Sequence, residues 1–441
     1  MTDRKPIADR LTPPIYNTLW LLAEKIIMLV LSFAVTLAIA RHLLPESFGR
    51  LSYWLALVSL SAPLMALGLN SLISRELLLR SVDHHAIMGS ALLLRGVSGL
   101  VVAVVAAAVS CVLLSPDDAW LLALLLFASV SNAALVVDFW LQAKLANRQG
   151  ALLRLAILVI FSGLRLAAVA ADAELAVFVY LLACEYLLTG IGYFAAYGYL
   201  GGGLRRLRPS LAESRQLLGD SRWLMLSGIS AVLYLKIDQV MLGLLVGERA
   251  VGIYAVATKF SEVWYFIPAA LVTAYFPQLI ERRTRDTAAY AMDLQKLNDA
   301  LFALALVLAL VIVASADWFI PLLFGEAYRD AVPVLVVHIW AAILVFMRAL
   351  LSKWLITENL LRLSLLSQTS GAIVNIAANF YLIPRYGALG AAYATLLAYL
   401  VAGYLVLFVH PNLRPMGMLV SRSLLLPIRL LQHGRRLYRR D

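Results

Sequence analysis

The stretch ALLLRGVSGLVVAVVAAAVSCVLL, residues 91–114, carries a single charge, Arg95. About 20 apolar residues are enough to cross a bilayer as a helix. In lipid only a helix satisfies the backbone groups of one continuous segment. Eleven further runs of this kind flank it. The twelve expected spans are 17–40, 48–72, 86–114, 119–141, 150–171, 175–200, 222–246, 250–280, 297–323, 331–357, 360–383 and 388–409. The whole chain of 441 residues is 62% hydrophobic and 14% charged, against about 45–50% and 25% in soluble domains. Too little polar surface remains for a soluble enzyme, a nucleic-acid-binding domain or a disordered chain.

The net charge of +11 is explained by loops held on one side of a membrane. With the N-terminus taken as cytoplasmic, 26 Lys and Arg residues fall on inside segments and 5 on outside loops (Arg41, Arg50, Arg249, Arg329 and Arg385). That asymmetry sets orientation and predicts an even number of spans, with both termini inside. Ala38-Ile39-Ala40 also fits a signal-cleavage pattern, which would leave eleven spans. The run extends upstream through Trp20-Leu21-Leu22, which favours a retained first span.

The longest polar segments, near 201–221 and 281–296, lie inside. The expected organisation is a six-helix lobe at 1–200, a linker at 201–221, a second six-helix lobe at 222–409 and a basic tail at 410–441. Gly201-Gly202-Gly203 opens the linker and reads as a hinge, since no Walker pattern accompanies it. Leu43–Tyr53 (LLPESFGRLSY) and Leu244–Tyr254 (LLVGERAVGIY) repeat one pattern, with Gly49 and Gly252 203 residues apart. Such a repeat suggests two like halves around a central cavity, as in some transporters. In the tail, Arg422, Arg429, Arg436 and Arg440 form one stripe opposite Leu424, Leu425, Ile428 and Leu431. That pattern fits a basic amphipathic helix on an anionic leaflet.

Cys111 and Cys184 lie in apolar runs, so neither a disulfide nor a metal site is expected. The six histidines lack ligand spacing. No nucleophile elbow, zinc-peptidase motif or Walker motif appears, so an enzyme is not expected and no cofactor is called for.

Six bases lie within spans: Lys25, Arg95, Arg165, Lys236, Lys259 and Arg348. Such charges pair internally or face a cavity. Matched depths in the antiparallel spans 7 and 8 let Asp238 meet Lys259 and Lys236 meet Glu262, either as structural pairs or as an ion-coupled gate. Lys25, Arg95, Arg165 and Arg348 lack such obvious partners, although Glu185 is within reach of Arg165 or Arg95. These four are the candidate substrate-binding groups. Guanidinium grips phosphate oxygens in bidentate fashion, whereas ammonium acts as a point charge. Tyr180, Tyr186, Trp264 and Tyr265 are either sugar-stacking groups or membrane packing.

Four blocks carry a family resemblance. They are Ala40–Gly49 (ARHLLPESFG), Asp138–Ala143 (DFWLQA), Asp238–Gly243 with Val251–Ala255, and Asn375–Asn379 with Ile383–Ala392. In this order they resemble the O-antigen and exopolysaccharide flippases (Wzx-type) of the multidrug/oligosaccharidyl-lipid/polysaccharide exporter superfamily. The resemblance implies movement of undecaprenyl-diphosphate-linked oligosaccharide from the cytoplasmic to the periplasmic leaflet of a bacterial inner membrane. A polysaccharide polymerase and chain-length proteins are the implied partners, and nucleic acid is not one. Leu44 stands where the family pattern has Gly, which weakens the transfer of any role to Arg41. The expected fold is therefore an all-α polytopic membrane protein of about twelve spans in two six-helix lobes. Two rivals are a drug/cation antiporter of the same superfamily and a membrane-embedded glycan polymerase or ligase. The first predicts an acid-dominated cavity and the second a large outside loop.

Overall fold

The computed structural model describes residues 7–79, 84–144, 146–201 and 203–437, with side chains from Glu24 to Gln432 except at 284, 361 and 430. Arg4, Lys5, Arg80, Gly202 and Arg440 lie outside the described residues, as do the side chains of Arg10 and Arg436. The described residues form helices joined by short turns and irregular segments. The helices are α1 (Ile7–Ala66), α2 (Leu69–Leu79), α3 (His84–Leu113), α4 (Pro116–Ser129), α5 (Val136–Ala143), α6 (Asn147–Ala170), α7 (Leu175–Tyr199) and α8 (Leu211–Leu245). They continue as α9 (Glu248–Glu262), α10 (Phe266–Arg285), α11 (Thr287–Phe324), α12 (Ala331–His338), α13 (Ala341–Thr357), α14 (Leu361–Gly403), α15 (Arg414–Leu424) and α16 (Leu426–Leu437).

Among the described residues, ten continuous helical stretches are long and apolar enough to cross a membrane. Two of them, of 56 and 47 residues, are each about twice the length one crossing needs. The first, which covers the later part of α1 and all of α2, turns at Leu44 (φ 61°, ψ 171°) and again at Leu67-Gly68, and the second turns at Gly387 (φ 55°, ψ −132°). Divided at Leu44 and Gly387, the ten stretches give twelve helical segments. The sequence suggested loops at these two points, whereas the chain turns within one residue.

Three spans read as continuous are interrupted midway. Residues 130–135 form a 3₁₀ segment, where Ser129 Oγ and Ser131 Oγ donate back to the carbonyls of Leu126 and Ala128 at 2.7 Å. Such back-bonding competes with the helix ladder. Residues 263–265 form a second 3₁₀ segment. Pro268 follows, lacks an N–H and crowds the carbonyl four residues earlier, that of Trp264. The third break, at Ile339-Trp340, has no local sequence cause.

The chain divides into two compact units. The first comprises residues 1–43 and 61–226, and the second residues 44–60 and 227–441. Within the first, α3 shows how a membrane helix distributes its faces. Leu93, Val97, Leu100, Val101, Val104, Val105 and Val112 are exposed. Ala91, Arg95, Gly99, Ala103 and Ser110 are buried. Lipid is as apolar as leucine, so bulky residues gain little by facing inward, and small residues let helices approach closely. In the second unit, α15 docks on α11. Buried Ser423 accepts from Asn298 Nδ2 at 2.9 Å and donates to Asp299 at 2.6 Å. Arg429 of α16 pairs with Asp299 at 3.2 Å.

Candidate transport site

The first unit holds three of the four candidate substrate-binding bases, on α1, α3 and α6. Among the described residues they share no hydrogen-bond partner. Lys25 is exposed. Arg165 is buried and pairs with Glu185 of α7, the partner the sequence offered. Arg95 is 5% exposed and no carboxylate reaches it among the described residues. Its guanidinium donates to Asn70 Oδ1 at 3.0 Å and to the carbonyl of Asn132 at 3.1 Å. That carbonyl belongs to the 3₁₀ segment at 130–135, so the helix break provides the acceptor. Nε of Arg95 finds no partner among the described residues.

Arg348, in the second unit, repeats this arrangement. It donates to Ser367 Oγ and to the carbonyl of Ala402, each at 3.0 Å. Ala402 lies where α14 ends, and a helix end leaves carbonyls without intrahelical partners. The guanidinium also stands 5.8 Å from the centre of the Tyr234 ring, within range of a cation–π contact. Among the described residues, Arg95 and Arg348 thus make contacts to neutral groups only. The Tyr234 hydroxyl and Trp264 Nε1 are buried without a partner among the described residues.

The expected pairs between spans 7 and 8 do not form. Asp238 is buried, and its neighbours are the Tyr254 hydroxyl, Thr395 Oγ1 at 3.2 Å and the Gln239 amide at 2.8 Å. Among the described residues no ion pair joins Asp238 to Lys259, or Lys236 to Glu262. Helix rotation was not available from sequence. Lys259 lies five residues beyond Tyr254, about 140° further round the helix at roughly 100° per residue. The four charges remain neighbours electrostatically, since Lys236 and Glu262 act on both Asp238 and Lys259. Buried His338 adds to the cluster, with Nδ1 3.0 Å from Ser261 Oγ and its ring edge-on to Tyr254 at 6.1 Å.

One group of charges escaped the sequence reading. Arg154, counted there with the inside loops, is bound by Glu24 of α1 at 2.9 Å and by Asp138 of α5 at 2.6 Å. Its third neighbour is the Tyr193 hydroxyl of α7, at 3.4 Å. Asp138 also accepts from Gln142 at 2.9 Å. A Cβ on Gly150 would stand 2.7 Å from Asp138 Oδ1, so glycine makes room for the carboxylate. One guanidinium therefore ties four helices of the first unit together. The signal was present in two pieces, a glutamate inside span 1 and an arginine just inside span 5, but nothing in the sequence linked them.

A family model described as Polysaccharide biosynthesis protein matches residues 15–282. The Probable low-salt glycan biosynthesis flippase Agl15 of Haloferax volcanii is 23% identical over 217 residues, which is 49% of this chain and 46% of that protein. The match therefore spans about half the length of this curated relative. The solved structure of Lipid II flippase MurJ in its inward closed conformation superposes with a TM-score of 0.68 at 12% identity, over 92% of this chain and 91% of that one. An inward-facing multidrug resistance MATE family transporter of the MOP superfamily superposes with a TM-score of 0.61 at 16% identity, over 88% and 94%. The likeness to these two structures is one of fold.

Proposed function

This chain belongs to the polysaccharide biosynthesis protein family, and from that premise we propose that it flips lipid-linked oligosaccharide across the membrane. Its proposed substrate is an undecaprenyl-diphosphate-linked repeat unit of an O-antigen or exopolysaccharide. It moves by alternating access from the cytoplasmic to the periplasmic leaflet of a bacterial inner membrane, with both termini of the chain cytoplasmic. A polymerase and chain-length proteins are the proposed partners downstream.

The observation that carries this reading is the pair of intramembrane arginines without carboxylate partners, Arg95 and Arg348. A diphosphate entering an apolar interior needs compensating charge. A guanidinium already held by neutral acceptors supplies that charge without first breaking an ion pair. Lys25 is exposed and adds a point charge, while Arg165 acts with its partner Glu185. The same observation weighs against a cation exporter, whose substrate these arginines repel.

Coupling to an ion gradient is assigned to the cluster of Asp238, Lys236, Lys259 and Glu262. Asp238 has hydroxyl partners, so a proton or cation arriving there meets no competing ammonium in direct contact.

The test is complementation of a strain lacking its flippase. Surface polysaccharide, membrane abundance of the protein and lipid-linked oligosaccharide held inside are measured together. Restoration of surface polysaccharide is expected. Full protein abundance with no restoration, and with the oligosaccharide still accumulating inside, would overturn the reading.

A further inference from the structure

A cleft of about 550 Å³ opens in the second unit. It lies at the α9 and α12 N-termini, toward the Phe324 end of α11 and away from the docked tail. Several element ends converge on it: the start of residues 44–60, the turn at Gly247 before α9, Asp330 before α12, and the kink of α14 at Gly387.

Its polar groups are arranged as pairs. Arg50 donates to Glu248 at 3.0 Å, and Arg249 donates to Asp330 at 3.1 Å. Glu46 also lines the cleft. Three carboxylates, Glu46, Glu248 and Asp330, therefore line the cleft with one guanidinium, Arg249, and this acidic excess gives a surface that repels phosphate. Glu248 and Asp330 each use one carboxylate oxygen in these contacts, leaving the second to accept from another donor. Tyr386 is half exposed, and its ring is fixed edge-on to Tyr393 at 6.5 Å. Pro333 contributes an apolar floor.

Planar side chains that both donate and accept, beside a fixed aromatic face, match a sugar. Its hydroxyls bond to carboxylate and guanidinium, while its C–H face packs on the ring. The volume falls within the roughly 300–1,000 Å³ of small-molecule sites. We propose that this cleft is a glycan-binding site for uncharged sugar residues of the transported oligosaccharide, separate from the arginines that meet the diphosphate. The proposal rests on the flippase reading. The cleft is walled partly by Glu46 and partly by the segment from Gly247 to Ile253. It is therefore complete only while residues 44–60 are seated against α9.

The test uses the full chain with Cys111 and Cys184, both free and exposed, replaced by serine, and Ala388→Cys as reporter. Maleimide labelling is followed in permeabilised cells that make the lipid-linked glycan and in isogenic cells whose first sugar transfer is blocked. Asp172→Cys, on an exposed site of the first unit, serves as the control. Labelling at residue 388 is expected to be several-fold slower when the glycan is made, with the control unchanged. Adding Tyr386→Ala or Asp330→Asn should abolish that protection. Equal labelling in both strains, with surface polysaccharide restored, would overturn the cleft proposal and leave the flippase reading standing. Protection by an added quaternary ammonium compound, and none by glycan synthesis, would also overturn it. Failure of the flippase reading shows separately, as unrestored surface polysaccharide.

Discussion

Gly49 and Gly252 meet backbone to backbone in a reciprocal contact. A Cβ on Gly49 would lie 1.9 Å from the carbonyl oxygen of Glu248, and a Cβ on Gly252 would lie 1.9 Å from that of Pro45. The two contacts are related by the offset of 203 residues that separates the two glycines. The repeat is therefore self-complementary, with each copy supplying the carbonyl that the other copy's glycine accommodates. Both segments lie within the second unit. Gly49→Val or Gly252→Val should separate them, because no flexible side chain can move aside. Transport at least tenfold lower is expected, a barrier of about 1.4 kcal/mol or more, with Gly→Ala intermediate. Surface polysaccharide per unit of membrane protein is the measurement. Normal transport in both valine variants would show that the crossing is dispensable.

Leu44 occupies a backbone region that is essentially reserved for glycine, and such residues cost about 1–3 kcal/mol. Leu44→Gly should therefore raise the thermal stability of the purified protein, provided the added freedom of the unfolded chain does not offset the relief. A melting temperature below that of the parent would contradict the strain argument.

Arg154 neutralises two carboxylates at once. Removing it leaves Glu24 and Asp138 facing each other, and breaking a buried pair costs about 3–5 kcal/mol. Arg154→Gln should lower membrane abundance sharply. Arg154→Lys should not rescue it, because one ammonium cannot reproduce the fork. Glu24→Gln added to Arg154→Gln should restore part of the loss. An unchanged abundance for Arg154→Gln alone would remove the structural role.

Asp238→Asn keeps an oxygen for Tyr254 and Thr395 to donate to. Abundance should hold while gradient-driven transport falls. If Asp238 instead needs a cation for stability, abundance falls and Lys259→Met does not restore it, since the two side chains are not paired. Normal transport at normal abundance would dismiss the coupling role.

Arg348→Ala and Arg95→Ala should each weaken substrate affinity. Losing one partner of a desolvated charge contact costs about 2–5 kcal/mol, at least roughly thirtyfold at about 1.4 kcal/mol per decade. Arg→Lys should be milder but still measurable. Complementation with abundance measured in parallel decides this. Full surface polysaccharide from both alanine variants would refute the assignment.

Particular residues show how far the sequence could be read. The spans were legible because lipid imposes one requirement, a long apolar run, that any stretch reveals by itself. Glu185 was legible as a partner for Arg165 or Arg95, and the structure pairs it with Arg165 on the preceding helix. Asp238 was recognisable as a buried charge, but Tyr254 and Thr395 were not recognisable as its partners. Thr395 is 157 residues away, and no local pattern reports helix rotation. Leu44 was visible as a departure from a glycine pattern, yet only the backbone angles revealed that the position demands glycine's conformations.

By itself the sequence determined the membrane class, the long apolar helices and the repeat. Each of these follows from a run, a spacing or a composition along one segment. Tertiary structure alone decided that Arg154 binds Glu24 and Asp138, that Arg95 and Arg348 rest on carbonyls freed at helix irregularities, and that the two glycines of the repeat pack on one another. Those relationships depend on which face each helix turns to its neighbours. In a membrane that choice is set by side-chain fit between helices, because the apolar pattern that fixes rotation in water is nearly uniform around a lipid-embedded helix.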